Sequence, residues 1–415
     1  MIKLHARMSQ SWSADPFVVR VTTDASHAGG PAEGQTDGVR ASSAECEALL
    51  VPDGQYAYVP GFRVNLSRTS VPLPGDTAVI LLPEPLHYLG DGDVLRVIPR
   101  TGEIAVLYRR SSAFNSVLVT ERCNSNCLMC SQPPKDADDG HLADAYLRAI
   151  PLMAADTPEL GITGGEPTLL GDRLIELLQA CRDHLPRTTL HMLSNGRLFN
   201  YLSLAQKVAG VGHPDLMVGV PVYSDVASRH DFVVQASGAF DQTIRGLMNL
   251  ARCGVKTELR VVLHRQTVDR LPQLGRFITR NLPFIDHVAL MGLEMMGYVR
   301  MNLDALWVDP ADYQGELKRA VEELVVGRMN VSIYNHQLCV LDRSLWPYAR
   351  KSISDWKNVY VPACDACEEK DRCGGFFASA KLRFSDHIRP FARPQGAGTV
   401  DVSQSFQRKA GTSCG

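Results

Sequence analysis

Cys123, Cys127 and Cys130 stand in a C-x3-C-x2-C string, Cys123-Asn124-Ser125-Asn126-Cys127-Leu128-Met129-Cys130. Three thiolates on so short a loop can converge on one iron–sulfur cubane and leave its fourth iron without a protein ligand. An open iron can hold a substrate or cofactor, whereas a fully Cys-ligated cluster mainly moves electrons. Zinc with a distant fourth ligand and a set of ordinary thiols are the alternatives, and the spacing is unusual for a zinc loop. A second group lies far along the chain, where Cys364 and Cys367 form a C-x2-C pair, Cys373 follows, and Gly374-Gly375 permit a close turn. With Cys339 upstream this makes four thiolates, enough to fill every iron of a second [4Fe-4S] cluster and equally suited to zinc. Cys414 is a spare thiol that could replace Cys339.

The elements that must position these groups are legible in the hydrophobic pattern. A strand over 113–120 runs directly into the first cysteine loop. Strands at 160–163, 189–193, 216–222, 257–264 and 287–292 then alternate with helical patterns at 143–155, 172–184, 202–209, 240–253, 269–280 and 311–326. Over 172–184 the apolar residues Leu174, Ile175, Leu177, Leu178 and Cys181 recur on one helical face. Six strand–helix units imply a parallel sheet with right-handed crossovers. Periodicity alone does not separate an open barrel from a doubly wound sheet. Before this domain, short apolar runs at 77–82, 93–98 and 103–108 are parted by turn residues and carry no helical pattern, with a hairpin at 99–102. Two more strands are expected at 1–6 and 17–22, and 23–43 reads as a loop or mobile segment. The resulting expectation is a mobile segment and small β domain at 1–110, an α/β domain at 111–328, a cysteine-bearing domain at 329–393, beginning with a strand at 330–334, and a tail at 394–415.

Composition supports a globular chain. Of 415 residues, 45% are hydrophobic and 21% charged, which rules out wholesale disorder. Eleven unevenly spaced cysteines are too few for a disulfide scaffold and suggest metal sites in a reducing, cytoplasmic setting. A formal charge of −2 gives no net field toward phosphate backbones, which argues against nucleic acid as a partner. No run of about 18 apolar residues is present, so no helical membrane span is expected. The first twenty residues lack the apolar run of a secretory signal.

The cysteine string, together with Gly164-Gly165-Glu166-Pro167 after the second strand and Ser194-Asn195-Gly196 after the third, resembles the radical S-adenosylmethionine (SAM) superfamily. The strings FNSVLVTERCNSNCLMCSQPP, GITGGEPTLLG, HMLSNGR and PACDACEEKDRCGGFFAS more closely resemble the HxsC-type maturases of His-Xaa-Ser peptide modification systems. The superfamily resemblance implies a partial (β/α)6 barrel, here with an N-terminal all-β domain and a C-terminal auxiliary-cluster domain. It also implies a [4Fe-4S] cluster on Cys123, Cys127 and Cys130, and reductive cleavage of SAM to methionine and a 5′-deoxyadenosyl radical.

The same resemblance assigns Gly164, Gly165 and Glu166 to the methionine amine, whose ammonium needs carbonyls or a carboxylate as acceptors. It places Ser194 and Asn195 at the ribose, and Met129 where a relative often carries an aromatic ring against adenine. An ordinary βα turn is the alternative for the Gly-Gly segment and for Asn195-Gly196. Ser224 lies just past a strand end, where α/β sheets carry ligands. Arg260 and His264 share one strand face as candidates for the methionine carboxylate and for adenosine or substrate, and Glu294 sits near the sixth strand by the adenine region. A structural ion pair for Arg260, a satisfied polar role for His264 and a surface carboxylate for Glu294 are the competing readings. His141 and His191 have no partner at metal-ligand spacing and read as ordinary histidines.

The HxsC resemblance implies a precursor peptide with His-Xaa-Ser repeats, an external one-electron donor and a second radical SAM maturase as partners. A radical enzyme acting on RNA or on a small metabolite, and an iron–sulfur electron-transfer or binding partner, are the rival functions. The β domain reads either as a docking module, with an exposed sheet edge as one route, or as a structural brace.

Overall fold

Strand 1 of the central domain follows directly on the last strand of the β domain, so the two sheets adjoin through the chain itself. The computed structural model describes residues 4–27, 46–53, 58–69, 79–351 and 358–391. Most of the expected mobile segment, the tail and Cys414 lie outside them.

The N-terminal strands are β1 (His5–Arg7), β2 (Phe17–Thr22), β3 (Glu47–Leu50), β4 (Val64–Ser67), β5 (Val79–Leu81), β6 (Val94–Ile98) and β7 (Glu103–Tyr108). They form one sheet in the order β1-β7-β6-β2-β3-β4-β5. β6 and β7 are the expected hairpin, turning at Gly102 with a φ of +69°. The links β2–β3, β3–β4 and β4–β5 are parallel, which local turn signals did not reveal. One face of this sheet buries its own core, including Val19, Val21, Val64, Leu66, Leu95 and Val97. Val18, Val94, Leu107 and Tyr108 instead join the core of the following domain. The Tyr108 hydroxyl, buried there, hydrogen-bonds Thr157 Oγ1 at 2.9 Å.

The second sheet contains β8 (Asn115–Leu118), β9 (Glu159–Thr163), β10 (Thr189–Leu193), β11 (Leu216–Pro221), β12 (Lys256–Leu263), β13 (His287–Gly292), β14 (Val331–Tyr334) and the two-residue β15 (Ala349–Arg350). All neighbours are parallel and the strands lie in unbroken chain order. A doubly wound sheet would reverse order at a switch point. None occurs, and β8 and β15 remain edges, so the fold is a partial (β/α) barrel.

The helices are α1 (Gly140–Ala149), α2 (Asp172–His184), α3 (Leu202–Gly210), α4 (Ala227–Val234), α5 (Ala239–Arg252), α6 (Leu271–Asn281), α7 (Leu303–Leu306) and α8 (Gln314–Val326). The short α4 and α7 carried too little periodicity to be expected from sequence. Alternation sorts each strand. Leu259, Val261 and Leu263 enter the helix-side core, while Glu258, Arg260, Val262 and His264 take the other face.

Candidate active site

The first cysteine loop leaves β8 at the carboxyl end of the barrel strands. Asp139, buried just before α1, holds its start by accepting from Glu121 N at 2.5 Å and Thr120 Oγ1 at 2.9 Å. Across the next strand, Gly165 N donates to Thr120 O and Glu166 N to Arg122 O, both at 2.8 Å. The two glycines permit this approach, because a Cβ at Gly165 would overlap the Arg122 carbonyl. The glycine pair thus seats the cysteine loop in addition to any role toward a ligand. From the far side, Asn302 Nδ2 donates to Leu128 O at 2.9 Å. Arg197, which sequence reasoning missed, donates to Asn124 O and to Ser125 Oγ, and anchors on Gln242. Its signal was only adjacency to the Ser-Asn-Gly turn.

Glu166 is fully buried and bridges two strand ends. Its Oε1 accepts from Thr168 N at 3.1 Å, Thr168 Oγ1 at 2.5 Å and Ser194 Oγ at 2.8 Å, and its Oε2 accepts from Asn195 N at 2.6 Å. Burial raises its pKa against the pull of these donors. Asn195 continues the chain of contacts, with Nδ2 donating to Asn124 Oδ1 at 2.6 Å and lying 3.9 Å from Cys123 Sγ. The Ser194 hydroxyl is spent on Glu166 and on the Gly196 N–H. Glu166, Ser194 and Asn195, expected around SAM, therefore form one network that ends at Cys123.

The thiols themselves sit in an environment that suits metal ligation. Burial, then the neighbouring Cys130 and Cys123, pushes Cys127 up to about 12, and burial raises Cys123 and Cys130 as well. Buried thiols of this kind ionise when a cation binds them. Backbone N–H groups of Ser125 and Asn124 reach Cys123 sulfur, a contact that favours the thiolate. The donor set fits an iron–sulfur cluster.

The remaining candidates divide between two places. Met129 packs in an apolar cluster with Tyr223, Val233, Met295 and Val299. Tyr223, also missed from sequence, is buried beside the thiols, and burial first and Cys127 second raise its pKa. His264 lies nearby, fully buried, with ring centroids 6.2 Å from Tyr223. Burial lowers His264 to about 3. Its Nδ1 accepts from Gln266 N, and its Nε2 has no hydrogen-bond partner among the described residues. Ser224 Oγ accepts from Val226 N at 3.1 Å, and Asp225 beside it pairs with Arg270.

Arg260 and Glu294 instead line a cavity of about 620 Å³ that runs from Ser131 and Gln132, just after Cys130, to the N-terminal sheet. Arg260 is paired at 2.7 Å with Glu258, a residue not anticipated. Glu258 also meets His287 at 2.7 Å and His191 at 3.3 Å. Burial opposes its ionisation, but His191, His287 and Arg260 outweigh burial and hold its carboxyl well below the usual range. His191 is thus part of a charged network, where sequence offered it no partner. The structural ion pair foreseen as the competing reading of Arg260 is present.

Cys339, Cys364, Cys367 and Cys373 line one small cavity together with Phe376, Ile388 and Phe391. Backbone N–H groups of Leu338 and Gly375 reach Cys373 Sγ at 3.4 Å, and that of Phe391 reaches Cys367 Sγ at 3.4 Å. Burial, then Cys373 and Cys364, pushes Cys339 up to about 11. Among the described residues, no three Cys, His, Asp or Glu side chains are close enough to hold a single metal ion.

With this geometry in view, the family comparison is decisive for the domain: the model of the radical SAM superfamily matches residues 117–278. Those residues form a radical SAM domain. The matched span begins in β8 and takes in the cysteine loop, the Glu166 network and the buried His230 and His264. Over 159 residues the chain is 31% identical to Fe-coproporphyrin III synthase of Methanosarcina barkeri and 30% identical to pre-heme d1 synthase of Dinoroseobacter shibae. Each match covers 38% of this chain and 38% of the relative, so the chain spans under two fifths of these proteins. Among solved structures, Streptococcus suis SuiB bound to precursor peptide SuiA aligns with a TM-score of 0.42 and 17% identity, over 55% of this chain and 49% of that one. Among the described residues, no helix is long and apolar enough to cross a membrane.

Proposed function

We propose that this radical SAM protein is a maturase that modifies a ribosomally made peptide, within a His-Xaa-Ser system and in the cytoplasm. Cys123, Cys127 and Cys130 would hold a [4Fe-4S] cluster, with Gly164, Gly165 and Glu166 at the methionine amine and Ser194 and Asn195 near the ribose. Met129, Ser224, His264 and Glu294 complete the proposed SAM surroundings. When bound and reduced by an external donor, the cluster supplies the electron that cleaves SAM to methionine and the radical that removes a hydrogen from the substrate. The chain's own residues do the positioning. Asp139, Arg197 and Asn302 hold the cysteine loop, Glu166 ties two strand ends to it, and the apolar cluster around Met129 and Tyr223 excludes water from its inner side.

The observation that carries the peptide reading is the course of the cavity. It is open along the barrel seam and bordered by β6 and β7 as well as by the residues after Cys130. An extended chain can enter such a seam, and hydrogen abstraction requires its target carbon beside the cysteine loop. The C-terminal cysteines would hold an auxiliary [4Fe-4S] cluster in the cavity they share. A second radical SAM maturase is the proposed partner enzyme.

A small-metabolite substrate is the second reading. The cavity volume lies within the range of small-ligand pockets, and the two similar synthases are named for Fe-coproporphyrin III and pre-heme d1.

Anaerobic reconstitution with iron and sulfide, reduction and addition of SAM should yield 5′-deoxyadenosine, and Cys127→Ala should abolish it. A variant lacking Cys123, Cys127 and Cys130 should keep about four irons per chain if the second cluster is present; zinc without iron would replace it by the rival metal. A precursor peptide should gain a mass change that depends on both reductant and SAM. Mass change of a metabolite with none on the peptide would overturn the peptide reading.

A further inference from the structure

Where the N-terminal sheet faces the barrel cavity, it presents a row of three residues, one per strand. His5 of β1 lies opposite Ala105 of β7, and Ala105 lies opposite Arg96 of β6. Residues opposite one another across a ladder share a face, and all three line the cavity. β1 and β6 are two ladder spacings apart, about 10 Å. The small side chain of Ala105 leaves the space between the two basic residues open.

Neither the His5 nor the Arg96 side chain makes a hydrogen bond or ion pair among the described residues. Glu103, the carboxylate nearest on β7, is turned to Arg7 at 3.7 Å. Arg96 is partly buried, and burial, then the like charge of Arg148, works against its ionisation. Glu103 favours the Arg96 charge from a distance but forms no ion pair with it, and a half-desolvated guanidinium without a paired carboxylate is matched by one brought by a ligand, because two parallel N–H bonds fit its two oxygens.

The same corner also offers backbone to pair with. Leu4 O accepts from Val106 N and Met8 N donates to Gly102 O, both at 2.8 Å. Alternation then turns the N–H and C=O of His5 and Arg7 outward from the sheet, and β1 is its edge strand. Outward N–H and C=O groups on a last strand suit an extended polypeptide rather than a nucleic acid.

We propose that the row His5–Ala105–Arg96 is a carboxylate site at the mouth of the cavity, and that it holds an acidic side chain of the peptide substrate. The inference rests on the peptide reading above and adds which residues the peptide must carry. Arg96 grips the carboxylate in bidentate fashion, His5 bounds it, and the adjoining β1 edge runs beside the peptide backbone.

The test uses the full chain with its clusters reconstituted. The probes are two fluorescein-labelled peptides of equal length with amidated C-termini, one alternating glutamate and serine, the other lysine and serine. Fluorescence anisotropy at matched ionic strength should show the acidic peptide bound at least about tenfold more tightly, since a charged hydrogen-bonded pair contributes roughly 1.5–3 kcal/mol. Arg96→Glu should erase that preference and Arg96→Lys should retain part of it, while the exposed Arg280→Glu on α6 should change nothing. Thermal unfolding and cluster absorbance verify that each variant is folded. Should Arg96→Glu not fold, a benzophenone-bearing acidic peptide on the wild-type chain should crosslink within β1, β6 or β7. Equal binding of the two peptides, crosslinks elsewhere, or displacement of the acidic peptide by oligothymidine at this site would overturn the carboxylate site alone. Failure of any peptide to bind would overturn it together with the peptide reading.

Discussion

Two buried histidines flank Tyr223 and make a residue-scale prediction. His230 stacks on it at 5.8 Å and donates no charge to the core, since burial lowers it to about 4; His264 is lowered by burial to about 3. Both folded values lie below the ordinary 6.5, so the unfolded chain binds the extra protons. Stability is therefore unpenalised well above pH 6.5 and falls as pH drops through 6.5, down to about 4 for His230 and about 3 for His264, by about 1.4 kcal/mol per histidine at pH 5.5. Urea unfolding at pH 7.5 and 5.5 should show this loss, and His230→Gln should reduce it by about half. A stability unchanged between the two pH values would contradict neutral burial. The same scale explains which residues escaped notice. Arg197 and Glu258 carry ordinary charged side chains, and nothing in their neighbours along the chain marks them. The role of Arg197 arises from residues 45 to 73 positions away, and Glu258 draws on Arg260 two residues on together with histidines 29 and 67 positions away.

At the scale of elements, the strand-end loops behave as one unit. The turn after β9 touches the cysteine loop through backbone, and the turn after β10 reaches it through Asn195. Gly165 is where this unit is least tolerant. Gly165→Ala would drive a methyl group into the Arg122 carbonyl, and the loop would have to move. We expect the variant to lose iron from the first cluster and to form less than about a tenth of the 5′-deoxyadenosine, a cost near 1.4 kcal/mol or more. Iron analysis on a background without Cys364, Cys367 and Cys373 isolates that effect. Retention of full iron and activity would mean that the close approach is dispensable. The strand and helix positions themselves were readable because apolar residues repeat at periods of two and 3.6. β2, β7, β10, β13 and α2 agree with expectation to the residue. β3 and β4, four residues each and buried throughout, have no alternation to read.

For the whole molecule, the decisive feature is that the N-terminal sheet shares a core with the barrel. Val18, Val94, Leu107 and Tyr108 are buried in the same cluster as Ala145, Tyr146 and Leu160. Removing the sheet would expose that surface, at roughly 25 cal/mol per Å². Calorimetry of the intact chain should therefore show the sheet and barrel unfolding in one transition, and Leu107→Ala should lower it by about 2–4 kcal/mol. Two separate transitions, with only one moved by the substitution, would mean independent domains. The open seam also belongs to this scale, since it is bounded by β8, by the β14 end and by strands of the other sheet.

The amino-acid order alone determined the local items: cysteine spacing, the glycine turns, and the alternation of strand with helix. Each depends on residues a few positions apart, where backbone geometry leaves few options. Only the tertiary structure decided the open barrel over a doubly wound sheet, the occupation of Glu166 by Thr168, Ser194 and Asn195, the tie of Arg260 to Glu258, and the cavity wall supplied by β6 and β7. Ser194 and Asn195 lie 28 and 29 positions from Glu166, and even the ties between residues two apart, Glu166 to Thr168 and Glu258 to Arg260, depend on the burial that surrounds them. Hydrogen-bond demand in a buried setting selects such partners, and a linear pattern does not record which groups burial will bring within reach.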